Sequence, residues 1–146
     1  MTEKPVDKKT ILFICVHNSA RSQMAEGLVN TLHADQFRAS SGGTEATRVH
    51  LAAIRAMAEI GIDISGHRSK SIDEFEGRRF DYVVMVCDDS QPDCPVFLGG
   101  KKYLHHAFED PVACKGTDED VLACFRRSRD EIRAWIEETF IEGGRA

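Results

Sequence analysis

The run Thr10-Ile11-Leu12-Phe13-Ile14-Cys15-Val16 constrains the fold more than any other part of this chain. Its apolar core, Ile11 to Val16, is far below the roughly 20 residues of a membrane span and reads as a strand buried on both faces. It leads into His17-Asn18-Ser19-Ala20-Arg21-Ser22, a short polar loop followed by a helix-like segment. A strand that feeds a loop into a helix N-terminus aims several backbone N–H groups at one small volume, a ready site for a tetrahedral oxyanion. A thiol at its floor has its thiolate stabilised by the same dipoles, so the anion loop also activates a nucleophile. Cys15 is the only one of five cysteines with an arginine at the Cys-x5-Arg spacing.

The rest of the chain alternates strand and helix signals. Helices are predicted over 20–33 (Met24, Leu28 and Leu32 on one face), 49–60 (Ile54, Met57 and Ala58, with Gly61 as a stop) and 119–140 (Val121, Phe125, Ile132 and Ile136). Strands are predicted over 37–41, ended by Gly42-Gly43, over 81–86, and more weakly over 103–108. Such alternation implies a parallel sheet covered by helices on both faces, with ligands beyond the carboxyl ends of the strands. Cys15 and Cys87, each just past a strong strand, then share one edge.

At 146 residues the chain fits one domain, expected over 10–140 between tails at 1–9 and 141–146. A net charge of −5 argues against nucleic acid as a partner, and the N-terminus lacks the apolar core of a signal peptide. A cytoplasmic, monomeric protein with no membrane association is expected. Five cysteines without an export signal point away from a disulfide framework and toward redox chemistry. No Cys-x-x-Cys pair occurs, and the histidines do not recur with cysteines at zinc-site spacing, so no metal is expected.

Arg21 offers a planar fork of donors suited to an oxyanion. A cation at a helix N-terminus opposes the macrodipole unless an anion is bound, which disfavours a plain surface arginine. Val16, His17, Asn18, Ser19, Ala20 and Arg21 form the expected anion loop. Asn18 tolerates left-handed backbone or is an ordinary turn residue; Ser19 is a cap or a ligand contact. Ser22 donates to the Cys15 thiolate or faces solvent. Asp110-Pro111, the only Asp-Pro, falls in a loop on the same edge; Asp110 is a general acid or the start of a turn, and the nearby thiol loop favours the acid.

Cys87 and Cys94 are the second constellation. Seven helical steps put their Cα atoms about 10.5 Å apart, whereas a disulfide needs roughly 7 Å or less, so pairing requires the segment to bend or unwind. With Cys15 they suggest a relay: Cys15 attacks an oxyanion, Cys87 attacks the adduct, and Cys94 takes over Cys87. Water can finish a phosphate ester reaction; arsenate is the oxyanion for which extra thiols supply needed electrons. Cys114 and Cys124 read as structural or incidental thiols, Trp135 and Phe125 as core.

From Lys9 to about Ile136 the chain resembles the thioredoxin-coupled arsenate reductases built on the low-molecular-weight tyrosine phosphatase fold. The resemblance rests on residues 10–27, Gly61-Ile62-Asp63-Ile64-Ser65-Gly66-His67, the Cys87/Cys94 pair and Glu109-Asp110-Pro111. It implies a three-layer α/β/α fold with a four-stranded parallel sheet whose first and third strands are neighbours. It implies Cys15 as nucleophile, Arg21 as oxyanion clamp, Ser22 as thiolate stabiliser, Asp110 as general acid, and Cys87 and Cys94 as the disulfide that thioredoxin reduces. No cofactor is implied; phosphate or sulfate would compete with arsenate. Some relatives bind potassium at positions matching Asn18, Glu26, Ser41 and a carboxylate where this chain has Lys70, so Lys70 is expected to pair with Glu26 in the ion's place. The alternatives are a tyrosine phosphatase using Cys15, Arg21 and Asp110, disfavoured because Val112-Ala113 follow Asp-Pro where an aromatic holds a substrate ring, and a non-catalytic redox sensor.

Overall fold

The computed structural model describes residues 8–86 and 97–142; Cys87 and Cys94 lie outside them. Strands β1 (Lys9–Cys15), β2 (Phe37–Gly43), β3 (Phe80–Met85) and β4 (Gly100–His105) form one parallel sheet in the order β2-β1-β3-β4. The first and third strands are therefore neighbours, and Val86 N–H donates to Ile14 O just past the end of β3. Alternation along β1 sends Ile11, Phe13 and Cys15 to one face and Leu12 and Ile14 to the other, all of them buried.

The first face is covered by α1 (Arg21–Leu32), α2 (Leu51–Ala58) and α3 (Asp118–Ile136), which bury Met24, Leu28, Met57, Phe125 and Ile132. The second face carries a smaller cluster in which a 3₁₀ helix, Ile72–Phe75, packs Phe75 with Phe80, Val83 and Phe97. Both faces of the central strands are thus dry, which is why β1 is apolar at nearly every position.

The helix faces differ in detail from those predicted. Leu32 is 37% exposed in the last turn of α1, whose core face runs instead through Met24, Ala25, Leu28 and Val29. On α2 the buried face is Ala52, Ala53, Ala56 and Met57; Ala58 is exposed and Ile54 half-buried, because helical spacing permits several stripes and the sheet selects one. Gly61 does stop α2, taking φ +81°, with Ile62 N–H bonding back to Met57 O. α3 opens with a Thr117/Asp120 capping box and buries Phe125, Ile132 and Ile136 as predicted, with Ser128 and Arg129 beside them and Val121 only half-buried.

Two strands also shift. β2 continues through Gly42-Gly43, pairing them with Ile14 and Cys15. β4 begins three residues before the predicted Tyr103: it is an edge strand with exposed Lys101 and Lys102, and pairing with β3 sets its register.

Candidate active site

Cys15 ends β1 at the carboxyl edge of the sheet, 2% exposed. The loop after it returns at once: Asn18 takes φ +52°, and its N–H points at Cys15 Sγ at 3.2 Å. α1 then begins at Arg21 with Ala20 at its N-cap, no side chain capping it and no acid in its first turn. Its leading N–H groups are left for the loop side, as an anion site requires. Ser19 is not the cap; its carbonyl accepts from His50 N–H at 2.9 Å. His17 faces outward, its Nε2 3.5 Å from Glu45 Oε1.

The direction of the hydrogen bonds around Cys15 follows from their far end. Asn18 Oδ1 accepts from Lys70 N–H at 2.7 Å and from Gln23 Nε2 at 2.8 Å, so its Nδ2 is the group that donates to Ser22 Oγ at 2.8 Å. Ser22 Oγ accepts there and is free to donate to Cys15 Sγ, 2.9 Å away. Cys15 Sγ thus has two donors aimed at it, the Ser22 hydroxyl and the Asn18 N–H.

Gln23 is the residue that sequence reasoning missed. Fully buried, it holds Asn18 O, Asn18 Oδ1 and Arg68 O on Nε2, while its Oε1 faces His67 Nδ1 at 2.9 Å. A glutamine oxygen only accepts, so His67 Nδ1 carries a hydrogen. Nothing in the local sequence separates Gln23 from a solvent-facing helix glutamine; burial of the whole first turn of α1 does.

Arg21 is also buried, its Nη1 donating to Val86 O at 3.2 Å and Phe108 O at 3.0 Å. These carbonyls, from the segments that follow β3 and β4, fix the guanidinium beside the loop. Its Nη2 lies 3.4 Å from Asp110 Oδ2. Asp110 starts the 3₁₀ turn Pro111–Ala113, its Oδ1 accepting from Val112 N–H at 3.0 Å, while its Oδ2 is left facing Arg21. His50 borders the same mouth. Its Nδ1 caps α2 by accepting from Ala52 N–H, and its ring stacks on Phe125 at 4.7 Å. Burial, then the Arg48 charge, push its pKa down, with Asp110 pulling the other way.

Glu26 Oε1 accepts from Ser41 Oγ at 2.5 Å and lies 3.7 Å from Lys70 Nζ, which also donates to Arg68 O. A cavity of about 590 Å³ between Ile72–Arg79 and Phe97–Lys101 lies at the amino ends of β3 and β4, opposite Cys15, and takes no part in this site.

Cys114 and Cys124, expected as structural or incidental thiols, are not free thiols. Cys114 and Cys124 form a disulfide that joins the Pro111–Ala113 turn to α3, and among the described residues Cys15 is the free cysteine. Their spacing of ten gave no sign of this, because the fold brings the turn back against α3.

Residues 10–141 match the family described as low molecular weight phosphotyrosine protein phosphatase. An arsenate reductase of Halalkalibacterium halodurans is 44% identical over 140 residues, 96% of this chain and 100% of that protein. The chain belongs to the arsenate reductases of the low-molecular-weight phosphatase family. A solved arsenate reductase in its phosphate-binding state is 36% identical, covering 89% of this chain and 95% of its own, with a TM-score of 0.76. A thioredoxin-dependent arsenate reductase of Corynebacterium glutamicum is 28% identical, with a TM-score of 0.62, over 92% of this chain and 63% of its own. The family match spans both the Cys15–Ser22 loop and the Asp110 turn. Among the described residues no helix is long and apolar enough to cross a membrane.

Proposed function

We propose that this protein reduces arsenate to arsenite through Cys15, Cys87 and Cys94. The Cys15 thiolate attacks arsenic, and one oxygen leaves as water after taking a proton from Asp110. Arg21 and the Val16–Ala20 amides hold the remaining oxygens. Cys87 then attacks Cys15 Sγ; a Cys15–Cys87 disulfide forms, and the As–S electron pair stays on arsenic, which departs as arsenite. Cys94 attacks Cys87, releasing Cys15, and thioredoxin reduces the Cys87–Cys94 disulfide.

The observation that carries this reading is the aligned set at the sheet edge: Ser22 Oγ 2.9 Å from Cys15 Sγ, with Arg21 buried beside Asp110. The nucleophile and the clamp stand at the two ends of the β1–α1 loop and the carboxylate comes from the loop after β4, 89 residues beyond Arg21, and a structural role does not demand that convergence. The Corynebacterium relative's thioredoxin dependence supports the choice of reductant. The Lys70 ammonium near Glu26 supports its standing in for a monovalent cation. Aryl phosphates are expected to be weak side substrates, since the loop chemistry is shared.

The test is NADPH oxidation with arsenate, thioredoxin and thioredoxin reductase. Wild type should turn over, while Cys15→Ser, Cys87→Ser and Cys94→Ser should each abolish it. Arsenate-dependent turnover that survives in Cys87→Ser or Cys94→Ser would sink the relay.

A further inference from the structure

The Cys114–Cys124 disulfide lies in the wall of a cleft of about 330 Å³ beside the Asp110 turn. Cys114 closes the turn Pro111–Ala113, and Cys124 sits in the second turn of α3, their Cα atoms 6.5 Å apart. The segment between Asp110 and Cys114 makes its backbone hydrogen bonds within its own turn: Val112 N–H to Asp110 Oδ1, Ala113 N–H to Asp110 O, Cys114 N–H to Pro111 O. Pro111 is buried, but Val112 and Ala113 are exposed. The sulfur bridge is therefore a main tether on a segment whose other end sets Asp110 against Arg21.

We propose that Cys114–Cys124 is a redox site, opened by a dithiol protein of the thioredoxin class, and that its opening releases Asp110 from Arg21. The consequence for turnover rests on Asp110 being the proton donor. Arg127 Nη2 lies 3.5 Å from Cys124 Sγ. A guanidinium there stabilises the thiolate of Cys124, making it the better leaving group. The reductant's thiolate attacks Cys114 Sγ, the S–S bond breaks, and its electron pair leaves on Cys124, which then takes a proton. The second reductant thiol displaces Cys114, so the reductant ends as a disulfide and the protein as two thiols. The reverse exchange, with the disulfide of a small thiol as oxidant, closes the bridge again. The clasp thus ties readiness of the acid to the redox state around the enzyme.

The full-length protein, purified without reductant, is poised in thioredoxin and in dithiothreitol buffers and read by peptide-resolved alkylation. The 114–124 pair should open as one two-electron step with either reductant, and Arg127→Gln should slow opening at least about threefold, as a weaker leaving group predicts. Amides 110–117 should exchange hydrogen faster once it is open. In a Cys87→Ser/Cys94→Ser background, hydrolysis of para-nitrophenyl phosphate should fall at least about threefold in step with opening, and Cys124→Ser should sit at the low value in every buffer. Finding no 114–124 bridge in the purified protein, a bridge that excess thioredoxin leaves closed, or unchanged exchange and hydrolysis on opening would overturn the proposal. If no aryl phosphate is hydrolysed in any state, the reading of Asp110 as donor is at fault, and alkylation with amide exchange still decides the bridge.

Discussion

At the scale of single residues, Asn18 joins backbone shape to chemistry. Its φ of +52° sits where a branched or plain Cβ is strained, and its side chain orients Ser22 toward Cys15. The two contributions separate by substitution. Asn18→Gly and Asn18→Ala both lose the buried amide's hydrogen bonds, but glycine accepts that backbone freely, so Asn18→Ala should be less stable than the glycine variant by about 1 kcal/mol in urea melts. Both should slow alkylation of Cys15 by iodoacetamide, having lost the aimed hydroxyl. His50 gives a pH prediction. Its folded pKa is lowered by burial and by Arg48, so protons bind the unfolded chain more tightly. The stability it contributes is full above the ordinary histidine value of about 6.5 and is lost as pH falls below it. By NMR titration, Arg48→Gln should move its midpoint upward and Asp110→Asn downward.

At the scale of elements, the end of β2 shapes the nucleophile's loop. A Cβ on Gly43 would lie 2.4 Å from Val16 O and 2.6 Å from Cys15 O, both backbone atoms that cannot swing aside. Gly43→Ala should cost roughly 2–3 kcal/mol, as overpacking against fixed backbone does, and should depress turnover because the atoms displaced are those of the cradle. The segment that ends at Lys70 buttresses the loop's other side: Lys70 N–H bonds Asn18 Oδ1 and Lys70 Nζ nears Glu26. With an ammonium already there, melting temperature and turnover should be indifferent to exchanging sodium for potassium. Lys70→Ala should make both respond to potassium specifically; a strong potassium effect on the wild type would count against the ammonium's role.

At the scale of the whole molecule, α3 is the strap that closes the helical face. Phe125 is fully buried beneath it and stacks on His50 at the mouth of the site. Phe125→Ala should cost about 3–5 kcal/mol, read as a lower denaturation midpoint, and should loosen His50 with it. Much of this architecture was legible in the chain: β1 from its apolar run, the loop from Cys15-x5-Arg21, the stop of α2 from Gly61, the parallel sheet from alternation. Strong, short-range patterns survive folding because they record burial on both faces or a backbone that one residue type alone adopts. Leu32, Ala58 and the start of β4 were misplaced because periodicity names several equivalent stripes and only neighbouring elements choose among them. By itself, then, the sequence determined the thiol, the loop after it, the arginine and the alternation of strands and helices, since each is written in residues adjacent along the chain. Only the tertiary structure decided that Gln23 would orient Asn18, that Asp110 would meet Arg21 across 89 residues, and that Cys114 would reach Cys124. Those contacts join segments distant in sequence, and their partners are fixed by packing and burial that no local pattern records.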